Sequence, residues 1–127
     1  MTGPLAGRHI LVVEDEYVIA RQLVRALVHE GATVVGPAPG VAQAKTLIAD
    51  PAQVRIDAAI LDVNLAGEQV YPVATLLAAR GVPFLFASGY DVEKADPRFP
   101  TAPYLVKPLT MTRLVGTIVG LLATLSI

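Results

Sequence analysis

Unbroken apolar runs alternate with amphipathic segments along the whole chain. Three continuous apolar runs are Ile10 to Val13, Ala58 to Leu61 and Pro83 to Ala87. Apolar runs of this length without polar alternation are typical of strands that are buried on both faces of a parallel sheet. Length alone would also fit a piece of a buried helix. Shorter runs at Thr33 to Val35 and Tyr104 to Val106 complete a set of five predicted strands.

Helical periodicity separates these strands. Apolar positions at three- and four-residue spacing predict a first helix that Gly31 stops and a second helix from Val41 to Asp50. A third helix follows a loop at Ala66-Gly67 and ends at Gly81, and the last runs from about Thr110 to Thr124. The predicted inner faces of the first three are Val18, Ile19, Leu23, Ala26 and Leu27; Ala44, Leu47 and Ile48; and Val70, Val73, Leu76 and Leu77. Strands that alternate with helices indicate an α/β fold whose parallel sheet has helices on both faces.

The connection between the fourth and fifth strands is irregular. Pro97, Pro100 and Pro103 interrupt it, and proline is excluded from helix interiors. Only Asp91 to Asp96 is free to turn helically. We therefore predict a single turn or a loop there, with a short or missing fourth helix.

Composition narrows the class of protein. The 127 residues fit one domain, 1–127, and 54% hydrophobic against 17% charged residues exclude disorder. Cysteine is absent, which excludes disulfides and thiolate metal sites. A formal net charge of −1 without a basic run argues against nucleic-acid binding. The apolar run Leu114 to Leu125 is too short to cross a membrane, and the first residues lack a signal-peptide pattern. We expect a soluble cytoplasmic domain without membrane insertion.

Polar side chains end four of the five predicted strands. Glu14 and Asp15 follow the first strand, Asp62 the third, Ser88 the fourth and Lys107 the fifth. Because ligands of open α/β sheets bind beyond the carboxyl ends of the strands, these residues are candidates for one pocket. Each acid of the first strand could instead be a helix cap, Ser88 a turn residue and Lys107 a solvated charge. For Asp62 such an explanation is weakest, since a turn carboxylate directly after a buried strand is uncommon and a buried Asp is rare unless it is paired. The joint occurrence favours a shared site.

The three carboxylates predict a hard cation in this pocket. Two carboxylates at 4 Å repel by about 1 kcal/mol in water, and Lys107 alone does not offset three of them. Oxygen ligands without Cys or a placed His select Mg²⁺. A carboxylate beside Mg²⁺ can attack a phosphoryl group and carry it as an acyl phosphate. In this hypothesis Asp62 is the nucleophile, Glu14 and Asp15 hold the metal, Lys107 pairs with a phosphoryl oxygen and the Ser88 hydroxyl hydrogen-bonds to it.

Four segments together resemble the receiver domains of response regulators in two-component signalling. They are Ile10 to Glu16, Leu61 to Asn64, Ala87 to Gly89 and Tyr104 to Pro108, and they span nearly the whole chain. The resemblance implies a flavodoxin-like sheet of order 2-1-3-4-5. It also implies a receiver that accepts a phosphoryl group on Asp62 from a histidine kinase or a histidine phosphotransfer protein. Such a domain is a phosphoacceptor that catalyses its own phosphotransfer and dephosphorylation; it is not an enzyme with a separate substrate.

The resemblance assigns further roles. It implies that the Asn64 backbone carbonyl joins the Mg²⁺ ligands and that the Lys107–Pro108 peptide bond is cis. Ser88 and Tyr104 match the switch hydroxyl and the switch aromatic, which move together on phosphorylation. The stretch from Phe84 to Tyr90 is similar to a subgroup whose fourth strand ends Phe-Ala-Thr-Gly-Tyr. That subgroup is linked to alphaproteobacterial general stress signalling.

The chain departs from the family pattern at several positions. Ala66 stands where many members have Pro, and Val70 stands near a position where they have Gly. We therefore expect a shorter or differently shaped loop after Asp62. Glu14 stands where Asp is common, and its longer side chain predicts contact with the metal through water. The short fourth connection puts the usual signalling face of helix 4, strand 5 and helix 5 in question.

Two other functions stay open. A haloacid-dehalogenase-like phosphatase also uses an Asp nucleophile and Mg²⁺, but its Asp-x-Asp pattern is missing at Val12 to Glu16. A phosphorylation-independent receiver-like scaffold or binding module is the stronger rival. The joint retention of Asp62, Ser88 and Lys107 argues against it.

The last helix has more apolar residues than one core-facing stripe needs. They are Leu109, Met111, Leu114, Val115, Ile118, Val119, Leu121, Leu122 and Leu125. The surplus either forms a homodimer surface or is shielded by the irregular segment Asp91 to Pro103. We expect no output domain after Ile127, so output would go through a downstream protein target, a phosphorelay or a phosphate sink.

Overall fold

A computed structural model describes residues 3–52, 55–89 and 96–125. Its strands are β1 (His9–Val13), β2 (Thr33–Ala38), β3 (Ala58–Asp62), β4 (Asn64–Leu65), β5 (Glu68–Gln69), β6 (Phe84–Ser88) and β7 (Tyr104–Val106). Its helices are α1 (Tyr17–His29), α2 (Val41–Ala49), α3 (Tyr71–Ala79) and α4 (Met111–Leu125). Five strands form one parallel sheet in the order β2-β1-β3-β6-β7. This is the predicted 2-1-3-4-5 order of a flavodoxin-like fold.

The sheet separates two hydrophobic layers. Successive side chains of a strand point to opposite faces, so Leu11 and Val13 pack with α2 and α3, whereas Ile10 and Val12 pack with α1 and α4. Residues on both faces of the central strands are buried. The unbroken apolar runs in the sequence therefore had the predicted cause. Within the described residues, no helix is long and apolar enough to cross a membrane.

Helix α1 buries most of the predicted stripe but not its first residue, Val18. Ala20, Leu23 and Leu27 face the sheet, but Val18 is 66% exposed. Val18 lies two positions before Ala20, about 200° away around the helix. The prediction that Val18 belongs to the inner face was wrong, because an apolar pair at a helix start does not reveal which member faces inward.

Strand β2 continues past Val35, the last residue of the strand that the sequence predicted. The strand runs to Ala38, whose carbonyl accepts the Glu14 N–H at 3.0 Å. Its register against β1 shifts between Leu11 and Val13, and the Gly36–Pro37 peptide bond is cis. Gly36 has φ of 94°, and a Cβ there would lie 2.7 Å from the Ala38 nitrogen. Glycine is therefore required at position 36.

The loop after Asp62 is a small hairpin. Strands β4 and β5 pair antiparallel around Ala66 and Gly67, which both have positive φ, 52° and 90°. A two-residue turn with this geometry matches the twist of paired strands. The loop is therefore a tight antiparallel turn. Asn64 Oδ1 closes it by accepting the Gly67 N–H at 3.0 Å.

Most of the predicted turn or loop at Asp91 to Asp96 lies outside the described residues. The described part of the connection, residues 96–103, contains turns and bends and no helix. Phe99 anchors it to α3 and β6, with ring centroids 6.2 Å from Tyr71, 5.6 Å from Phe84 and 5.8 Å from Phe86. The described part of the proline-rich connection, residues 96–103, is therefore packed against the core by one aromatic side chain.

Helix α4 buries much of its apolar surplus. Leu114, Ile118 and Leu122 are buried in the layer with α1, and four others pack against that layer: Leu109, Met111, Val115 and Leu121. Leu121 also lines a cavity with Phe99 and Ala102 of the irregular connection. Among the described residues of this set, Val119 is the one that is exposed. The explanation that the connection shields the helix accounts for Leu121 but not for Val119.

Candidate functional site

The carboxyl ends of four strands bring the predicted site residues to one edge of the sheet. Glu14 and Asp15 follow β1, Asp62 ends β3, Ser88 ends β6 and Lys107 follows β7. Parallel pairing aligns the strand ends: Asp62 lies opposite Ala87, and Ser88 opposite Val106. Residues from four separate segments thus meet because the sheet is parallel.

Three carboxylates form a compact cluster at this edge. One carboxylate oxygen from each of Glu14, Asp15 and Asp62 lies within 4.8 Å of the other two. Glu14 and Asp62 are only 3% and 6% exposed. All three donors are oxygens, the set that a hard cation such as Mg²⁺ prefers. The cluster therefore fits Mg²⁺ in donor type and in spacing.

Lys107 neutralises part of this negative charge. Its Nζ donates to Glu14 Oε1 at 2.8 Å and lies 3.4 Å from Asp62 Oδ2. The other oxygen of Glu14, Oε2, accepts the Glu16 N–H at 3.2 Å. Both Glu14 oxygens thus have protein partners, so in this state the carboxylate serves chiefly as the counter-charge of Lys107. Sequence reasoning had paired Lys107 only with a phosphoryl oxygen and did not predict this ion pair.

Asp62 is the most perturbed carboxyl of the cluster. Burial, together with a hydrogen bond and charge repulsion from Glu14, raises the pKa of Asp62 from 3.8 to about 8, although Lys107 opposes the shift. Burial alone would lower the pKa of Lys107, but Glu14 and Asp62 together raise it above its ordinary value. Functional centres frequently contain a carboxyl group whose ionised form is unfavourable unless a cation lies beside it.

The remaining predicted residues surround this cluster. The Asn64 N–H lies 3.4 Å from Asp62 Oδ1, at the limit of a hydrogen bond. Ser88 is buried, and its backbone carbonyl accepts the Lys107 N–H at 2.7 Å. Tyr104 is partly buried, with its ring 6.3 Å from Phe86. The Lys107–Pro108 peptide bond is cis, as the resemblance implied.

The cavity beside Asp62 has an apolar part that sequence reasoning missed, although Glu14, Asp62 and Lys107 line it as well. It has a volume of about 370 Å³, and its walls come from α1, β1, β3, and the start of α4. Apolar side chains, including Ile19, Leu23 and Met111, line it next to Lys107. Tyr17, 73% exposed, and Val18 lie at the adjoining start of α1. Ile19 and Leu23 had been predicted only as part of the inner face of the first helix, so no separate signal in the sequence pointed to this apolar lining.

Comparisons with known proteins support one family. The chain is 43% identical to SdrG from Sphingomonas melonis Fr1 over 95% of this chain and 99% of that one, with a TM-score of 0.78. A structure of the BeF3-activated conformation of SdrG from Pseudomonas melonis Fr1 matches at 40% identity over 96% and 99% of the two chains, with a TM-score of 0.70. A response regulator receiver protein from Sinorhizobium medicae WSM419 shares the fold, with a TM-score of 0.81 at 22% identity over 91% and 94%.

Two further comparisons gave no match. No protein-family model matches the chain, and no curated protein does. The assignment therefore rests on the solved structures and on the site. Three observations indicate the same family. They are the parallel sheet of order 2-1-3-4-5, the acid cluster at its carboxyl edge, and the 43% identity along almost the full length of SdrG. The chain belongs to the receiver domains of response regulators, which are signalling modules.

Proposed function

We propose that this receiver accepts a phosphoryl group on Asp62 in a Mg²⁺-dependent reaction. The observation that carries the proposal is the position of Asp62, with Lys107 Nζ 3.4 Å from one oxygen and two further carboxylates within ligand-sharing distance. The donor would be a phosphohistidine of a histidine kinase or of a histidine phosphotransfer protein. An Asp oxygen attacks phosphorus, the P–N bond breaks, and the imidazole nitrogen keeps the electron pair and takes up a proton.

Each side chain has a proposed task in this transfer. Asp15, Asp62, Glu14 and the Asn64 backbone carbonyl would hold Mg²⁺. When bound, Mg²⁺ supplies positive charge that favours the ionised Asp62 and neutralises the phosphoryl oxygens. Lys107 keeps a cation beside the acceptor oxygen throughout.

The hydroxyl of Ser88 and the ring of Tyr104 are proposed to carry the signal outward. Ser88 ends β6, one residue beyond the position opposite Asp62, so its hydroxyl is proposed to hydrogen-bond to the phosphoryl group. Its carbonyl already holds the Lys107 N–H. Tyr104 belongs to β7, the strand at the edge of the sheet, and lies opposite Phe86 of β6, the strand that Ser88 ends. A shift of Ser88 would therefore be felt by β7 and its aromatic side chain.

The start of α1 is the proposed contact for the phosphodonor protein. A donor histidine has to approach Asp62 from the carboxyl edge, and Tyr17 and Val18 expose apolar surface beside that approach. The cavity lined by Ile19 and Met111 adjoins the same approach. Exposed apolar groups next to a polar site are typical of transient protein contacts.

The output is proposed to be a switched protein–protein interaction or a phosphorelay. A downstream protein target would recognise the phosphorylated state, in the cytoplasm and without nucleic acid. A homodimer through α4 stays a proposal; the exposed Val119 supports it, and burial of Leu114, Ile118 and Leu122 leaves it a small apolar contact. Sedimentation with and without beryllofluoride tests it, and one monomeric species in both conditions would contradict it.

Incubation with acetyl phosphate and Mg²⁺ tests the acceptor proposal. Intact mass should rise by one phosphoryl group in the wild type and in Asp50→Ala, which removes an exposed carboxylate outside the cluster. It should not rise in Asp62→Ala. The BeF3-activated structure of SdrG supports beryllofluoride as a second probe that does not depend on donor reactivity. A wild type that responds to neither reagent would favour the phosphorylation-independent scaffold.

A further inference from the structure

The amino edge of the sheet contains a second charged cluster, built around Asp57. Asp57 directly precedes β3 and is 7% exposed. Its Oδ2 accepts the backbone N–H of His9, the first residue of β1, at 2.8 Å. Its Oδ1 is 2.9 Å from Nε of Arg55 and 3.9 Å from Nη1 of Arg8. One carboxylate oxygen therefore holds two guanidinium groups within a few ångströms of each other.

A third arginine completes the cluster. Arg80 follows α3, and its Nη1 donates to the carbonyl of Ile48 in α2 at 3.2 Å. Arg8, Arg55 and Arg80 line one cavity of about 290 Å³ together with Asp57. They come from three separate segments, so only the folded chain brings them together.

The charges of this cavity do not balance. Three arginines and one carboxylate line it, which leaves an excess of positive charge, and Asp57 pairs with only two of the three, Arg55 and Arg8. A guanidinium presents several N–H donors in a planar fork, and the oxygens of one carboxylate cannot accept from three such groups. One oxygen of Asp57, Oδ2, already accepts the backbone N–H of His9. The surplus donors match a second oxyanion, because the arginine fork binds carboxylate and phosphate in a bidentate manner.

The rest of the lining selects among oxyanions. Val82, Pro83, Ile56 and Leu122 supply apolar surface to the same cavity, and Leu122 is buried in the layer with α4. Free phosphate would leave this surface in contact with water only. A carboxylate attached to a short aliphatic group would use both parts of the lining.

We propose that the cavity between Arg8, Arg55 and Arg80 binds a small carboxylate that carries a short aliphatic group. The cavity is separate from the phosphoryl-acceptor site, since Asp57 and Asp62 lie at opposite ends of β3, roughly 16 Å apart along the strand. The proposal therefore does not depend on phosphorylation of Asp62.

Titration of the nitrogen-15-labelled protein with N-acetyl-leucine at low salt tests the proposal by NMR. Saturable shifts are expected at the amides of His9, Asp57, Gly81 and Val82, which line or adjoin the cavity. N-acetyl-leucinamide, which has the same aliphatic group without the charge, should cause no saturable shift there. Inorganic phosphate should bind at the same amides about tenfold more weakly, since it lacks the aliphatic part.

Variants then assign the binding to the arginines. Arg80→Gln and Arg55→Gln should each weaken N-acetyl-leucine binding about tenfold, the usual loss for one charge-assisted hydrogen bond. Arg80→Lys, which keeps the charge but loses the planar fork, should fall between Arg80→Gln and wild type. Arg113→Gln is the matched control, because Arg113 is an exposed arginine on α4 outside the cavity, and it should bind as the wild type does.

Three results would overturn the proposal. The first is the absence of saturable shifts with N-acetyl-leucine. The second is equal or tighter binding of phosphate, which would remove the role of the aliphatic group. The third is unchanged affinity in both glutamine variants while their spectra retain the dispersion of the folded wild type.

Discussion

The two edges of the parallel sheet carry opposite charge imbalances. At the carboxyl edge Lys107 contacts two of three clustered carboxylates, whereas at the amino edge three arginines line one cavity with a single carboxylate, Asp57. In both places a buried acid, Asp62 or Asp57, lies at an end of β3. The carboxyl edge, here called the acid edge, holds its three carboxylates close together and raises the pKa of Asp62. At the amino edge, here called the basic edge, the side chain of Arg55 is largely exposed and that of Arg8 is partly exposed. The comparison teaches that the neighbours of a buried acid matter as much as its burial: burial and the Glu14 carboxylate raise the pKa of Asp62 to about 8, whereas Asp57 lies against the guanidinium groups of Arg55 and Arg8.

Lys107→Gln should have the largest effect, because it removes the cation that balances the acid edge. Glu14 would remain buried without its partner at 2.8 Å, and loss of one partner of a buried pair costs about 3 kcal/mol. Phosphorylation of Asp62 by acetyl phosphate should slow by about 100-fold or more. Urea unfolding and intact-mass kinetics measure the two effects. Lys45→Gln, an exposed lysine on α2, is the control and should change neither.

Asp62→Asn should stabilise the metal-free protein, and the gain should depend on pH. The folded-state pKa of about 8 lies above the ordinary value of 3.8, so the folded state favours the protonated form. Below about pH 4 Asp62 is protonated in both the folded and the unfolded state, so its ionisation does not destabilise the wild type. As the pH rises from about 4 to about 8, the free energy of unfolding of the wild type falls relative to that of Asp62→Asn. We expect a difference of about 2 kcal/mol at pH 8 in chelator. Saturating Mg²⁺ should shrink it, and a difference independent of pH would contradict the raised pKa.

Asp57→Ala tests whether the basic edge needs its carboxylate. The backbone N–H of His9 would lose its acceptor and two guanidinium groups their counter-charge, a cost of about 1–2 kcal/mol. Added phosphate should restore part of this loss, measured by the melting temperature. Asp57→Asn keeps an acceptor oxygen for His9 and should lose less. If both variants are as stable as the wild type, the repulsion among the arginines is screened by water, and Asp57 does not stabilise the basic edge.

Millimolar Mg²⁺ should give the smallest effect, a rise in the melting temperature. Binding at a few times the dissociation constant contributes about 1 kcal/mol, because the cation relieves repulsion among the three carboxylates. Asp15→Ala should abolish the rise, since it removes a carboxylate of the cluster. Ca²⁺ compared with Mg²⁺ would show whether the site selects the smaller ion; an Asp15→Ala protein that still responds would place the cation elsewhere.

Much of the fold and of the candidate site could be predicted because both follow from local signals. The apolar runs ending at Val13, Leu61 and Ala87 required burial on both faces, and parallel strands bring their carboxyl ends to one edge. The polar residues after those runs therefore had to meet. The prediction failed where the local pattern was ambiguous: Val18 looked like a core residue, and Gly36-Pro37 looked like the end of a strand. Leu5 is fully buried, although no periodic pattern surrounds it.

The sequence by itself determined which residues lie at the carboxyl edge, because the positions of the strands and the polar residues at their ends follow from the local pattern, and parallel strands bring those ends to one edge. Only the tertiary structure decided how they pair. Lys107 lies 93 positions from Glu14, yet the two form the shortest ion pair of the acid edge among the described residues. Arg8, Arg55 and Arg80 showed no pattern in the chain and meet only around Asp57. Pairing between distant side chains depends on the directions in which packed segments present them, and no local period encodes those directions.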